Sequence, residues 1–100
     1  MSLFVRFRLS VAPRHWPSYD ANMPTVLRAG PYRLFFYAGD GGEPPHIHME
    51  RDDSEVKFWL DPIRFEHGHG FGRKEINVLR TLVEENLAHL LESWNEFFNG

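Results

Sequence analysis

The sequence predicts an α+β domain, a small antiparallel sheet of roughly three to five strands packed on one face by a long C-terminal amphipathic helix. Two observations carry this expectation. Between Pro24 and Glu66 the apolar residues fall in short runs of period two, punctuated by Gly, Pro and Asp, as in short strands joined by turns. From Gly72 onward the period becomes helical: Ile76, Leu79, Val83, Leu87, Leu90, Trp94 and Phe97 form one stripe.

Composition bounds the rest. With 100 residues there is room for one core and one domain. No cysteine is present, which excludes a disulfide scaffold and a thiolate zinc site. The net charge of −3 is far from the basic balance of a nucleic-acid binder. Apolar runs are too short to span a membrane. The 15% aromatic content argues for a packed core rather than a disordered chain.

Residues 1–22 differ in character from residues 23–100. Leu3, Val5, Phe7, Leu9 and Val11 alternate with polar or oppositely facing residues, a strand pattern. Arg6 and Arg8 interrupt any secretory apolar stretch, and two prolines with polar neighbours then give linker chemistry. This leader holds three Arg and one Asp, whereas residues 23–100 hold eight basic and thirteen acidic side chains. The expectation is an N-terminal extension or arm over 1–22, either an added strand or a segment ahead of a native start at Met23, and a single domain over 23–100.

Within that domain PTVLRAG is a short strand ended by Gly30-Pro31. YRLFFYA, apolar on both faces, suits a central strand. GDGGEPP, residues 39–45, is a loop. HIHMER and SEVKFWL alternate on either side of an Asp52-Asp53 turn, and Asp61-Pro62 stops the second. IRFE is one further short strand ahead of a glycine-rich HGHG connector. The helix begins with Gly72 at the N-cap, Glu75 placed to reach back to it and Phe71 placed to staple onto Ile76. It runs for about 26 residues, roughly 39 Å, with Asn86 as a kink point. Each well-buried residue of its stripe contributes about 1.5–3 kcal/mol.

A hairpin turning at Asp52-Asp53 pairs Arg51 with Ser54, Glu50 with Glu55, Met49 with Val56, His48 with Lys57, Ile47 with Phe58 and His46 with Trp59. Side chains alternate across a sheet. Ile47, Met49, Val56, Phe58 and Leu60 therefore share the face under the helix. His46, His48, Glu50, Glu55, Lys57, Trp59 and Asp61 share the other, which the pattern turns toward solvent. A one-residue slip would bury the charges, so the register is well specified.

That outer face carries the candidate chemistry. His46, His48 and Lys57 are candidate catalytic groups, imidazole having a suitable pKa for proton transfer. No Ser or Cys nucleophile accompanies them, and phosphodiester cleavage of the ribonuclease kind is the reaction their types allow. His46 and His48 with Asp61 are the candidate metal ligands, Glu43 and Glu50 being further carboxylates in the region. The bland alternative is a pair of solvated strand histidines. His46, His48, Trp59, Asp61 and Glu43 form the candidate partner or ligand surface, because an exposed tryptophan implies a cover. His67 and His69, flanked by Arg64, Arg73 and Lys74, could meet an anion near the helix start, or be incidental to a flexible connector. Glu84, Glu85, Glu92 and Glu96 read as a solvated helix face or a dock for a basic partner. No cofactor is expected, with a divalent metal as the alternative.

MPTVLRAG, FFYAGDGGEPPHIHMER, KFWLDP, GFGRKEINVLRTLVEEN and WNEFF together resemble the small bacterial proteins of the domain of unknown function 4160 family, over residues 23–100. The resemblance implies a cytoplasmic bacterial protein whose start lies near Met23. Members of the family are often encoded beside a second small protein, an arrangement that resembles a toxin–antitoxin pair. His46 and His48 match the family motif. Residues 67 and 69 are usually small or charged in the family, and 72 is usually serine, so His67, His69 and Gly72 depart from it. The expected function is an interaction protein, one component of such a two-gene module, with a histidine-dependent ribonuclease or metal-binding protein as alternatives. Its expected partner is a small protein from the neighbouring gene, with no membrane contact and nucleic acid only through a complex.

Overall fold

The computed structural model describes residues 9–11 and 22–100. Strands Leu9–Val11 (β1), Thr25–Ala29 (β2), Tyr32–Phe35 (β3), His46–Arg51 (β4), Ser54–Leu60 (β5) and Ile63–His69 (β6) precede helices Arg73–Glu85 (α1) and Leu87–Asn99 (α2). Ala38–Gly42, between β3 and β4, is a turn of 3-10 helix. The strands form one antiparallel meander in chain order, so the α+β architecture holds. The strand pattern of the leader reaches the described residues only at Leu9–Val11, which pairs with Ala29–Leu27 as an outer strand. Its remaining positions, and the linker after it, lie outside the described residues.

The β4–β5 register is the one the alternation requires, from Arg51↔Ser54 to His46↔Trp59. Asp52 takes the left-handed backbone of the turn, at φ 55°, which aspartate tolerates better than most residues. Ile47, Met49, Val56, Phe58 and Leu60 are buried in the core with Val26, Leu27 and Leu34 beneath Leu79, Leu82, Val83, Leu90 and Trp94. Among the described residues no helix is long and apolar enough to cross a membrane.

Three expectations of the fold change. The helix is interrupted: Asn86 has ψ near 15°, its backbone N–H reaches the Val83 carbonyl and its side-chain amide donates to the Leu82 carbonyl at 2.8 Å. A side-chain amide that competes for the helix's own carbonyls ends one helix and starts the next. The apolar stripe nevertheless continues from α1 to α2. The HGHG connector is also not a loop, because β6 runs on to His69, with His67 opposite Lys57 and His69 opposite Glu55 after a bulge at Glu66.

Gly72 is the N-cap of α1 as expected, without a side-chain cap bond. Glu75 turns instead to the sheet. Its carboxylate accepts from Arg51 at 2.8 and 2.9 Å and from the Tyr32 hydroxyl at 2.6 Å. A bidentate guanidinium on β4 outcompetes a glycine amide for that carboxylate.

Candidate functional site

The two histidines of β4 share a face, as strand geometry requires, but not a solvent-exposed one. His46 has no exposed surface and His48 only 6%, which corrects the expectation that both rings point to water. Alternation fixes the direction of a side chain and leaves open what lies in that direction. Here Phe35 and Tyr37 lie against His48, with ring centroids 5.5 and 4.5 Å away. His46 meets Trp59 at 5.5 Å and Trp94 of α2 at 5.0 Å. α2 thus reaches past the end of the sheet to the start of β4.

The 3-10 turn closes the site. Gly41 within it lies so near α2 that a Cβ there would come within 2.8 Å of the Phe98 ring, so the close approach needs glycine. The turn delivers Asp40, a loop residue that is not among the candidates named from the sequence. Its Oδ2 lies 2.7 Å from His46 Nε2 and 3.0 Å from His48 Nε2. One oxygen therefore serves both imidazoles, and ligand atoms of the three residues lie within 4.8 Å of one another.

The other two ring nitrogens differ. His46 Nδ1 lies 2.9 Å from the Pro44 carbonyl. A carbonyl only accepts, so this nitrogen carries hydrogen. His48 Nδ1 lies 3.4 Å from Glu55 Oε2 without hydrogen-bond geometry, and is a buried polar atom without a hydrogen-bond partner among the described residues. The Tyr37 hydroxyl donates to the same Glu55 carboxylate at 3.2 Å. Burial, partly opposed by the Asp40 hydrogen bond, lowers the His48 pKa from its usual value. For Asp40 burial acts to raise the pKa, but the hydrogen bonds from His46 and His48 prevail and lower it.

The remaining candidates separate. Lys57 Nζ is bonded to Glu43 Oε1 at 2.7 Å and lies 4.4 Å from the centre of the Trp59 ring. Glu43 is 4.0 Å from His46 Nδ1, at the edge of the cluster. Glu50 is engaged by Arg33 at 3.0 Å. Asp61 lies in the exposed turn after β5, where it lines a shallow cleft of about 140 Å³ with Pro44, Trp59, Pro62 and Arg64. The acidic group brought to the histidines is thus Asp40 rather than Asp61. Trp59 is half-buried, and its indole N–H donates to Glu66 at 2.7 Å. His67 and His69 are exposed on β6.

Residues 32–95, from β3 through most of α2, match the family described as Domain of unknown function (DUF4160). The chain belongs to this family. The matched span includes Asp40, His46, His48 and every residue of the cleft, so the enclosed cluster lies inside the family domain. No curated protein and no solved structure matches the chain.

Proposed function

We propose that the chain is an interaction protein, one component of a two-gene module of toxin–antitoxin type, whose partner lays an extended segment along β6. The observation that supports this reading is the open edge. Among the described residues β6 ends the sheet, is bonded only to β5, and is exposed over Arg64 and residues 66–69. An unpaired edge offers a row of backbone donors and acceptors to another strand. Beside it the Trp59 cleft supplies an aromatic wall, the Arg64 cation and the Asp61 carboxylate, the mix of groups that anchors protein interfaces. The two-gene arrangement itself comes from the family resemblance.

A ribonuclease using His46 and His48 has less support. General acid–base groups must come within hydrogen-bond reach of the substrate, and His46 is enclosed by Trp59, Trp94 and Asp40.

Co-expression with the product of the adjacent gene, followed by pull-down, tests the proposal. A complex at micromolar concentration is expected, weakened by the double substitution Trp59→Ala and Arg64→Glu. Absence of a complex between two folded proteins at that concentration, or a complex indifferent to both substitutions, contradicts it.

A further inference from the structure

The hydrogen inventory around Asp40 does not close with neutral side chains. A neutral imidazole carries one N–H. His46 uses its hydrogen on the Pro44 carbonyl, so its Nε2 presents a lone pair to Asp40 Oδ2 at 2.7 Å. His48 has Nε2 at 3.0 Å from that same oxygen and Nδ1 at 3.4 Å from Glu55. One hydrogen satisfies only one of these nitrogens and leaves the other facing a carboxylate. With neutral rings two lone-pair conflicts would sit in a pocket closed by aromatic rings, and each is relieved by positive charge between the opposed atoms, a proton in the metal-free chain or a metal ion.

We infer that Asp40, His46 and His48 form the protein part of a binding site for a first-row divalent cation of the zinc type. An ion held by both Nε2 atoms and Oδ2 removes the conflicts together. Each histidine then keeps its hydrogen on Nδ1, directed at the Pro44 carbonyl or the Glu55 carboxylate. Metal-bound histidines characteristically direct their second nitrogen in this way.

Two neutral nitrogens and one carboxylate suit zinc, cobalt, nickel or iron, whereas calcium and magnesium favour all-oxygen sites. Ligand atoms around a tetrahedral zinc lie roughly 3.4 Å apart, so the group must open by several tenths of an ångström. Asp40 can supply that movement, since it lies on a short turn with a side chain 20% exposed. Three protein ligands leave a position for water on the Asp40 side, as in open zinc sites. This inference is independent of the partner proposed for β6.

The test uses the full chain, untagged and stripped with chelator, titrated with Co²⁺ and then Zn²⁺. One Co²⁺ per chain is expected, displaced by Zn²⁺. His48→Gln and Asp40→Asn abolish binding, and Glu55→Gln weakens it about 10–100-fold. His67→Gln with His69→Gln leaves it unchanged, which separates the site from the exposed His-x-His of β6. Imidazole ¹⁵N spectra of the Zn²⁺-loaded native chain need no variant and should show two histidines metallated at Nε2. The inference is overturned if the folded chain binds neither ion at millimolar concentration, if folded Asp40→Asn retains full affinity, or if the metallated histidines are 67 and 69.

Discussion

Replacing Asp40 by alanine isolates the contact on which the enclosed site depends. In metal-free conditions it removes the oxygen at 2.7 and 3.0 Å from two buried imidazoles. Leaving a buried polar group unsatisfied costs about 1–3 kcal/mol, so two give about 2–6 kcal/mol. The Asp40 side chain is 20% exposed, and water entering along its path can satisfy one nitrogen, which places the loss at about 2–3 kcal/mol. For a domain of this size that lowers Tm by about 8–24 °C. Urea unfolding at neutral pH with chelator present, followed by tryptophan fluorescence, reads the change as a lower midpoint at unchanged slope. Asp40→Asn keeps the volume and an amide oxygen and should recover part of the loss. A loss below about 0.5 kcal/mol, the range of ordinary surface substitutions, would refute the reasoning, because Asp40 would then be a solvated loop residue and the histidines independent of it.

Three further outcomes arise from the packing and the ion pairs. Trp94→Ala empties a site 4% exposed against Phe36, Phe98 and His46 and should cost about 3–5 kcal/mol in the same denaturation assay. Gly70→Ala should destabilise by more than about 1 kcal/mol, since φ is +84° and a Cβ would fall 2.0 Å from Ser54 Oγ; calorimetric Tm checks it. The Tyr32 hydroxyl is pushed up to about 12, by burial first and then by its bond to Glu75. The unfolded chain releases that proton near 10 while the folded chain holds it, so this contribution to stability is complete below pH 10 and is lost as pH rises toward 12. An ultraviolet titration of the tyrosines should therefore show late-ionising groups, Tyr37 among them, because burial and Glu55 also raise its pKa.

The β-hairpin was legible pair by pair, because strict alternation around Asp52-Asp53 admits one register that buries Ile47 and Phe58 together. The family was legible from its motifs. Cover over the histidines was not, although YRLFFYA carried a signal: a strand apolar on both faces needs both faces covered, and Phe35 and Tyr37 supply the rings that enclose His48. Asp40 was harder to find. It precedes the histidines by six and eight positions, and only the fold of the 3-10 turn returns its carboxylate to β4. The extension of β6 was hidden because glycines at 68 and 70 suggest a loop, whereas the ladder continues opposite Lys57 and Glu55. Breaking of the helix at Asn86 was visible only as a kink point, since the apolar period runs through the interruption.

The enclosed site depends on the imidazoles of His46 and His48 being tied to Asp40 beneath aromatic cover. A long-range ¹H–¹⁵N spectrum of the histidine rings in the metal-free chain at neutral pH tests this most directly. The predicted result is a slowly exchanging N–H at His46 Nδ1, set apart from the freely exchanging rings of His67 and His69. Rings at 46 and 48 that exchange as fast as those on β6 would contradict it.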